Sequence, residues 1–210
     1  RLPYMSGFLK NIYAFLNLAM ASFVMSTVTV RFVFPAVSAE GAAFWIIRTA
    51  PISLRDFLWS KFWTGLVPIL ILTESLIIAG NELLGVDPFL KQMSAVAVVF
   101  MAFALVGLGT GLGARYPRFA ADNPSQVAGS YGGVAFMIVA VLFILVMIVL
   151  LGWSSSVYLF SQLRNRPLTG GQQLLIATCF TSAALLSITT WLMGMRTGVK
   201  ALQAMDRTPS

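Results

Sequence analysis

Seven carboxylates, no histidine and a single cysteine bound the chemistry open to this chain. Without histidine it lacks the commonest metal ligand and the commonest general base. Asp122 and Asp206 stand far apart in sequence, and no carboxylate cluster or nucleophile–base pair is present, so little supports a membrane enzyme. Cys179 lies inside an apolar run, forms no disulfide framework and says nothing about compartment. Glu74 is the one carboxylate in the middle of a long apolar run, between Thr73 and Ser75. At that depth a carboxylate is costly, so it should face a bundle interior, a cavity or a partner. It could contact substrate or carry a proton, or it could be a protonated or hydrogen-bonded Glu that holds helices together. The run Gly107-Leu-Gly-Thr-Gly-Leu-Gly113 has the glycine density of a phosphate loop, but it has no Lys and it ends an apolar run. The chain nowhere carries G-x-x-x-x-G-K-[ST] and so cannot supply that cradle. Gly107/Gly111 and Gly109/Gly113 are instead small-xxx-small pairs, which point to close helix packing.

The elements that must position such groups are organised around one polar interruption, Ser38–Lys61, reading SAEGAAFWIIRTAPISLRDFLWSK. It carries Glu40, Arg48, Arg55, Asp56 and Lys61 together with Phe44, Trp45, Ile46, Ile47, Leu54, Phe57, Leu58 and Trp59. That mixture suits neither the bilayer core nor a flexible linker. Pro51 divides the stretch, and Ala50 before it is biased away from helix. Ser53 with Asp56 forms a capping box, and the charge of Glu40 counters the dipole near the start of the first piece. The pattern predicts helix, break, helix, and then a span beginning near Lys61. Such a segment either rests on lipid as an amphipathic linker or docks into a groove on a cytoplasmic partner. On the docking reading, force enters the protein here.

Of 210 residues, 58% are hydrophobic and 10% charged, against about 25% charged in soluble domains. The predicted class is therefore an all-α, polytopic membrane helix bundle forming a single domain over 1–210. Five runs are long enough to cross a bilayer core of about 30 Å: 12–34, 62–84, 94–114, 134–151 and 174–195. They are continuous rather than alternating, which favours helices over barrel strands. The first residues lack the pattern of a signal peptide, and a chain opening on Arg1 is expected to be a fragment with its N-terminal part missing. Arg31, Arg48, Arg55, Lys61, Arg115, Arg118, Arg196, Lys200 and Arg207 fall on one side; Arg1, Lys10, Lys91, Arg164 and Arg166 fall on the other. This asymmetry predicts that the first set, the C-terminus and Ser38–Lys61 are cytoplasmic. The net charge of +7 then belongs to lipid headgroups and topology, and no basic–aromatic pattern of a nucleic-acid site occurs. A second interruption, Arg115–Ser130, should hold a short helix opening at Pro124 with Asn123 as its cap. Gly152–Gly171 reads as an external loop whose Trp153, Tyr158 and Phe160 suit the interfacial aromatic belt. Within the spans, Asn17 is placed to bond across helices, Pro68 to kink its helix and Arg31 to snorkel.

Glu40-Gly41, then Ile46-Ile47-Arg48-Thr49-Ala50-Pro51-Ile52-Ser53, then Lys61, resembles the signature of bacterial ABC exporter permeases. There a Glu-Gly pair precedes a leucine-rich helix, a Thr-x-Pro-hydrophobic-Ser break and a Lys that opens the next span. The longer phrase Arg31–Ser53, with its Phe44-Trp45 pair, and the second interruption are similar to a narrower subset of that family. The resemblance covers nearly the whole chain. It implies a six-helix permease, with the five spans matching its second to sixth, in the bacterial inner membrane. It implies that Glu40, Gly41, Phe44, Trp45, Arg48, Pro51, Ser53 and Lys61 form the coupling helix and its frame. It further implies a second permease subunit, a separate ATPase subunit that binds ATP and Mg, and no cofactor in this chain. Other classes remain open: an ion-coupled secondary transporter using Glu74, and a non-catalytic membrane scaffold. The first would be expected to show internal repeats, and no convincing one is visible.

Overall fold

The computed structural model describes residues 3–121, 123–163 and 169–207. Arg1, Asp122, Arg164 and Arg166, and the side chains of Lys10, Arg48, Asp206 and Arg207, lie outside the described residues. The described chain is helical throughout. In order it comprises α1 (Pro3–Val28), α2 (Phe44–Thr49), α3 (Leu54–Leu83), α4 (Pro88–Arg115), α5 (Pro124–Ala128), α6 (Tyr131–Leu163) and α7 (Gly170–Arg207). A π-helical turn, Thr29–Val33, and two 3-10 segments, Phe34–Ala36 and Ser38–Ala43, carry α1 onward to α2. Five helical stretches are long and apolar enough to cross a membrane: Ile12–Gly41, Leu54–Leu83, Pro88–Arg115, Tyr131–Ser161 and Gly170–Met205. This is a multi-pass helical membrane protein.

The helices run further than the apolar runs alone predict. The second amphipathic piece is no separate helix: Ser53 caps α3, which continues through Pro68 to Leu83 without a break at Lys61. Nor is Gly152–Leu163 a loop. It is the last third of α6, held there by packing on the start of α4. Ser154 and Ser155 are buried and return their hydroxyls to the Leu151 carbonyl at 2.9 and 2.8 Å. The Tyr158 ring stacks on Phe89 with centroids 4.1 Å apart. Those contacts outweigh the roughly 1 kcal/mol that Gly152 costs inside a helix.

α4 is the central post. Its side chains are buried on nearly every face, from Leu90 to Ala114. It packs most extensively on α7, then on α3. Close approach explains the first contact. A Cβ on Gly111 would meet the Gly194 carbonyl oxygen at 2.0 Å, and a Cβ on Gly194 would meet that of Gly107 at 2.6 Å. Gly109 and Gly113 face the other way, onto the end of α1, where Thr29 Cγ2 and the Phe34 carbonyl oxygen lie 2.6 and 2.1 Å from the added carbon. The two glycine pairs therefore serve two different neighbours within the one chain. At the α3 side, Trp59, Phe62 and Trp63 interleave with Phe103 of α4 and Trp191 of α7, with ring centroids 5.5–6.5 Å apart.

At the opposite end, a buried polar relay ties three helices together. The Asn17 amide donates to Asn81 Oδ1 at 3.4 Å, Asn81 Nδ2 donates to Ser94 Oγ at 2.7 Å, and Ser94 Oγ donates to the Lys91 carbonyl at 3.0 Å. Gly80 leaves the room that Asn17 fills. The α3–α4 turn is closed by Gly85 at φ +58° and by Asp87, whose Oδ1 accepts from the Phe89 N–H at 3.0 Å.

Candidate functional site

The 38–61 segment follows the 3-10 turn Phe34–Ala36, opens with the 3-10 segment Ser38–Ala43 and reverses within it at Gly41, where φ is +51° and ψ −132°. A side chain there would meet only the Phe119 carbonyl oxygen, at an ordinary 3.7 Å, so the backbone conformation rather than space requires glycine. α2 follows. It ends at Ala50, whose extended backbone (φ −70°, ψ 151°) precedes Pro51 as the steric rule demands. The Ser53 hydroxyl then accepts from the Asp56 N–H at 3.0 Å and donates to Asp56 Oδ2 at 2.6 Å, which opens α3.

Three internal contacts fix this segment to the bundle. Lys61 Nζ pairs with Glu40 Oε1, both side chains about three-quarters shielded, and the same ammonium lies 5.5 Å from the Phe57 ring centre. Phe44 is buried, stacked on Phe119 at 4.7 Å between centroids and edge-on to Phe57 at 6.1 Å. The Ser38 hydroxyl oxygen accepts the Arg118 N–H at 3.0 Å. The second interruption, Arg115–Ser130, thus braces the 38–61 segment through Arg118 and Phe119. Its short helix α5 begins at Pro124 after Asn123, but the Asn123 side chain makes no capping bond.

The face left over is apolar and outward. Trp45 is 63% exposed, and Ile46, Thr49, Pro51, Ile52, Ser53 and Arg55 are exposed beside it. Of the residues grouped from the sequence, Trp45, Pro51 and Ser53 lie on this face. Glu40, Gly41 and Lys61 form its frame. Phe44, grouped with Trp45 as a docking residue, turns inward, because adjacent helical positions point about 100° apart. The Arg48 side chain lies outside the described residues. Ser38, Arg118 and Phe119, which brace the segment, were not legible: their partners stand far away along the chain.

Glu74 stands apart, in the middle of α3. It is half-buried, and its Oε1 is shielded with no hydrogen-bond partner among the described residues. The described residues form no group of three His, Cys, Asp or Glu side chains that could hold a metal ion.

A multi-pass helical bundle carrying a braced, outward-facing apolar helix between its first two spans is the class of molecule defined here. The chain matches the family model described as "Putative ATP-binding cassette" over residues 1–207, and it belongs to that family. No curated protein and no solved structure matches it.

Proposed function

We propose that the chain is the membrane-spanning permease subunit of an ATP-driven exporter, in which a separate ATPase subunit hydrolyses ATP. The observation that carries this reading is the outward apolar face of Trp45, Ile46, Pro51 and Ile52, mounted on a segment that its own chain braces from beneath. A lipid-resting helix needs no such frame, whereas a helix that receives a push does. Family membership supports an ATPase as the source of the push. On this reading the 38–61 segment is a coupling helix on the cytoplasmic side, the C-terminus is cytoplasmic, and two permease subunits pair in the bacterial inner membrane. ATP and Mg sit on the ATPase, and export follows from closure of the two ATPases.

Copurification from the native host in mild detergent tests the proposal. A nucleotide-binding subunit should accompany the wild type. Trp45→Ala or Ile46→Ser should reduce it about ten-fold, the effect of removing one buried interface anchor. Ile71→Ala, on the exposed side of α3, should leave it unchanged. A well-folded protein with no such subunit, or full retention in both variants, overturns the reading.

The unpartnered Glu74 oxygen favours one second reading, ion-coupled transport through that carboxylate. Transport whose pH dependence is unchanged in Glu74→Gln would remove it.

A further inference from the structure

Arg31 sits on the five-residue π-helical turn that closes α1. Such turns interrupt an α-helix at a cost and often mark functional positions. Here the turn sends Thr29, Val30 and Val33 inward and leaves Arg31 and Phe32 exposed. Beside Arg31 opens a cleft of about 640 Å3 between α1, α5 and α6, lined by Phe23, Ser26, Arg31, Ser125, Met137 and Val141 among others. The lining is graded. Arg31 and Ser125 stand at one end, and Phe23, Met137 and Val141 supply an apolar trough. Phe23 and Arg31 are eight residues apart, about 12 Å along the helix, or roughly a third of a 30 Å hydrocarbon core.

Three polar side chains of this cleft, Arg31, Ser26 and Ser125, lack partners among the described residues. The Arg31 guanidinium makes no ion pair or hydrogen bond among the described residues. Ser26 is only 7% exposed, yet its hydroxyl makes no hydrogen bond there either. At the margin of a bilayer Arg31 and Ser26 call for an acceptor, because an unsatisfied donor in low dielectric is costly. We propose that the cleft binds an anionic phospholipid of the surrounding bilayer. Its phosphate lies on the Arg31 guanidinium with the Ser125 hydroxyl. The Ser26 hydroxyl donates to an ester carbonyl further in, and an acyl chain lies along Phe23, Met137 and Val141. A zwitterionic headgroup fits less well, since its own cation offsets the attraction that a net negative headgroup keeps.

The test is thermal unfolding of the full chain in detergent, titrated with phosphatidylglycerol or with phosphatidylcholine of the same acyl chains. Phosphatidylglycerol should raise Tm, and phosphatidylcholine should raise it far less. Arg31→Gln should weaken the half-saturating phosphatidylglycerol fraction about five-fold. Arg31→Lys should restore most of the response, and Val141→Trp, which fills the trough, should abolish it. Arg196→Gln, an exposed cation on α7 outside the cleft, should respond as the wild type does. Equal stabilisation by both lipids, or an undiminished response in Arg31→Gln together with Val141→Trp, overturns the proposal. So does an equal loss in Arg196→Gln, which would mean that only the general basic surface is at work.

Discussion

At Gly41 the residue type is dictated by two angles. With φ at +51° and ψ at −132° the backbone lies outside the left-handed helical region that Asn and Asp tolerate, and only glycine adopts it without strain. The space around it is ordinary, so the cost of a substitution is conformational and should not depend on side-chain size. Gly41→Ala and Gly41→Asn should therefore destabilise alike, by about 1–3 kcal/mol, seen as matching falls in unfolding midpoint. Rescue by Asn would mean that the turn relaxes to the left-handed helix instead. The neighbouring Lys61–Glu40 pair is a different matter. Both side chains keep some contact with water, so the pair contributes about 1 kcal/mol or less. Its service is geometric, since it ties the turn before α2 to the second turn of α3. The sequence placed Glu40, Gly41 and Lys61 near one another in a motif. It could not show that the acid and the base meet across 21 residues, nor that Phe44 faces inward while Trp45 faces out.

Among the helices, the glycines of α4 decide how closely neighbours approach, and the partner atoms decide how strictly each is required. A Cβ on Gly111 would run into backbone, the Gly194 carbonyl oxygen at 2.0 Å, which can yield only if α4 and α7 separate. A Cβ on Gly109 would meet a threonine methyl, which can yield by a small shift. Gly111→Ala should cost about 3 kcal/mol, at the upper end of overpacking, and Gly109→Ala about 1 kcal/mol. Gly171→Ala, with nothing near it, should be neutral or stabilising by up to about 1 kcal/mol. Denaturant unfolding in detergent gives the order, and equal effects at Gly111 and Gly109 would show that the helices are not in backbone contact. The five spans were legible because long apolar runs without period-two alternation allow little else. Their ends were not. The extension of α6 past Gly152 rests on the Tyr158–Phe89 stack and on the buried Ser154 and Ser155, contacts with a helix more than 40 residues earlier. The glycine spacing likewise points to close packing without naming Gly194 or the Phe34 carbonyl as what is packed against. The Asn17–Asn81–Ser94 relay is hidden for the same reason: Asn17 stands out as a polar residue within a span, but Asn81 and Ser94 acquire meaning only from the three-helix junction.

Across the whole molecule, the exposed face of α2 and the central post are joined through the second interruption. Phe44 stacks on Phe119, and Arg118 hydrogen-bonds Ser38. The same interruption leaves the C-terminal end of α4 and leads into α6, where Tyr116 meets Tyr131 edge-on at 5.8 Å and a Cβ on Gly132 would strike Tyr116 and Phe34. A displacement of α2 therefore has a packed route into two spans, and Phe119 is the point through which it passes. Removing that ring should loosen α2 without altering the outward residues. Phe119 is half-buried and makes one stacked aromatic contact, so Phe119→Ala should release about 2 kcal/mol of local stability. Amide exchange in Phe44–Thr49 should then quicken about thirty-fold, while the relay of Asn17, Asn81 and Ser94 at the far end keeps its protection. Trp45→Ala, which removes an exposed ring, should leave exchange in the same helix within about two-fold of the wild type. The two variants thus separate holding α2 in place from presenting its face. If Phe119→Ala leaves exchange over 44–49 unchanged, the Phe119 ring does not hold α2, and the segment is held by Phe57, by the Lys61–Glu40 pair and by the Ser38–Arg118 bond.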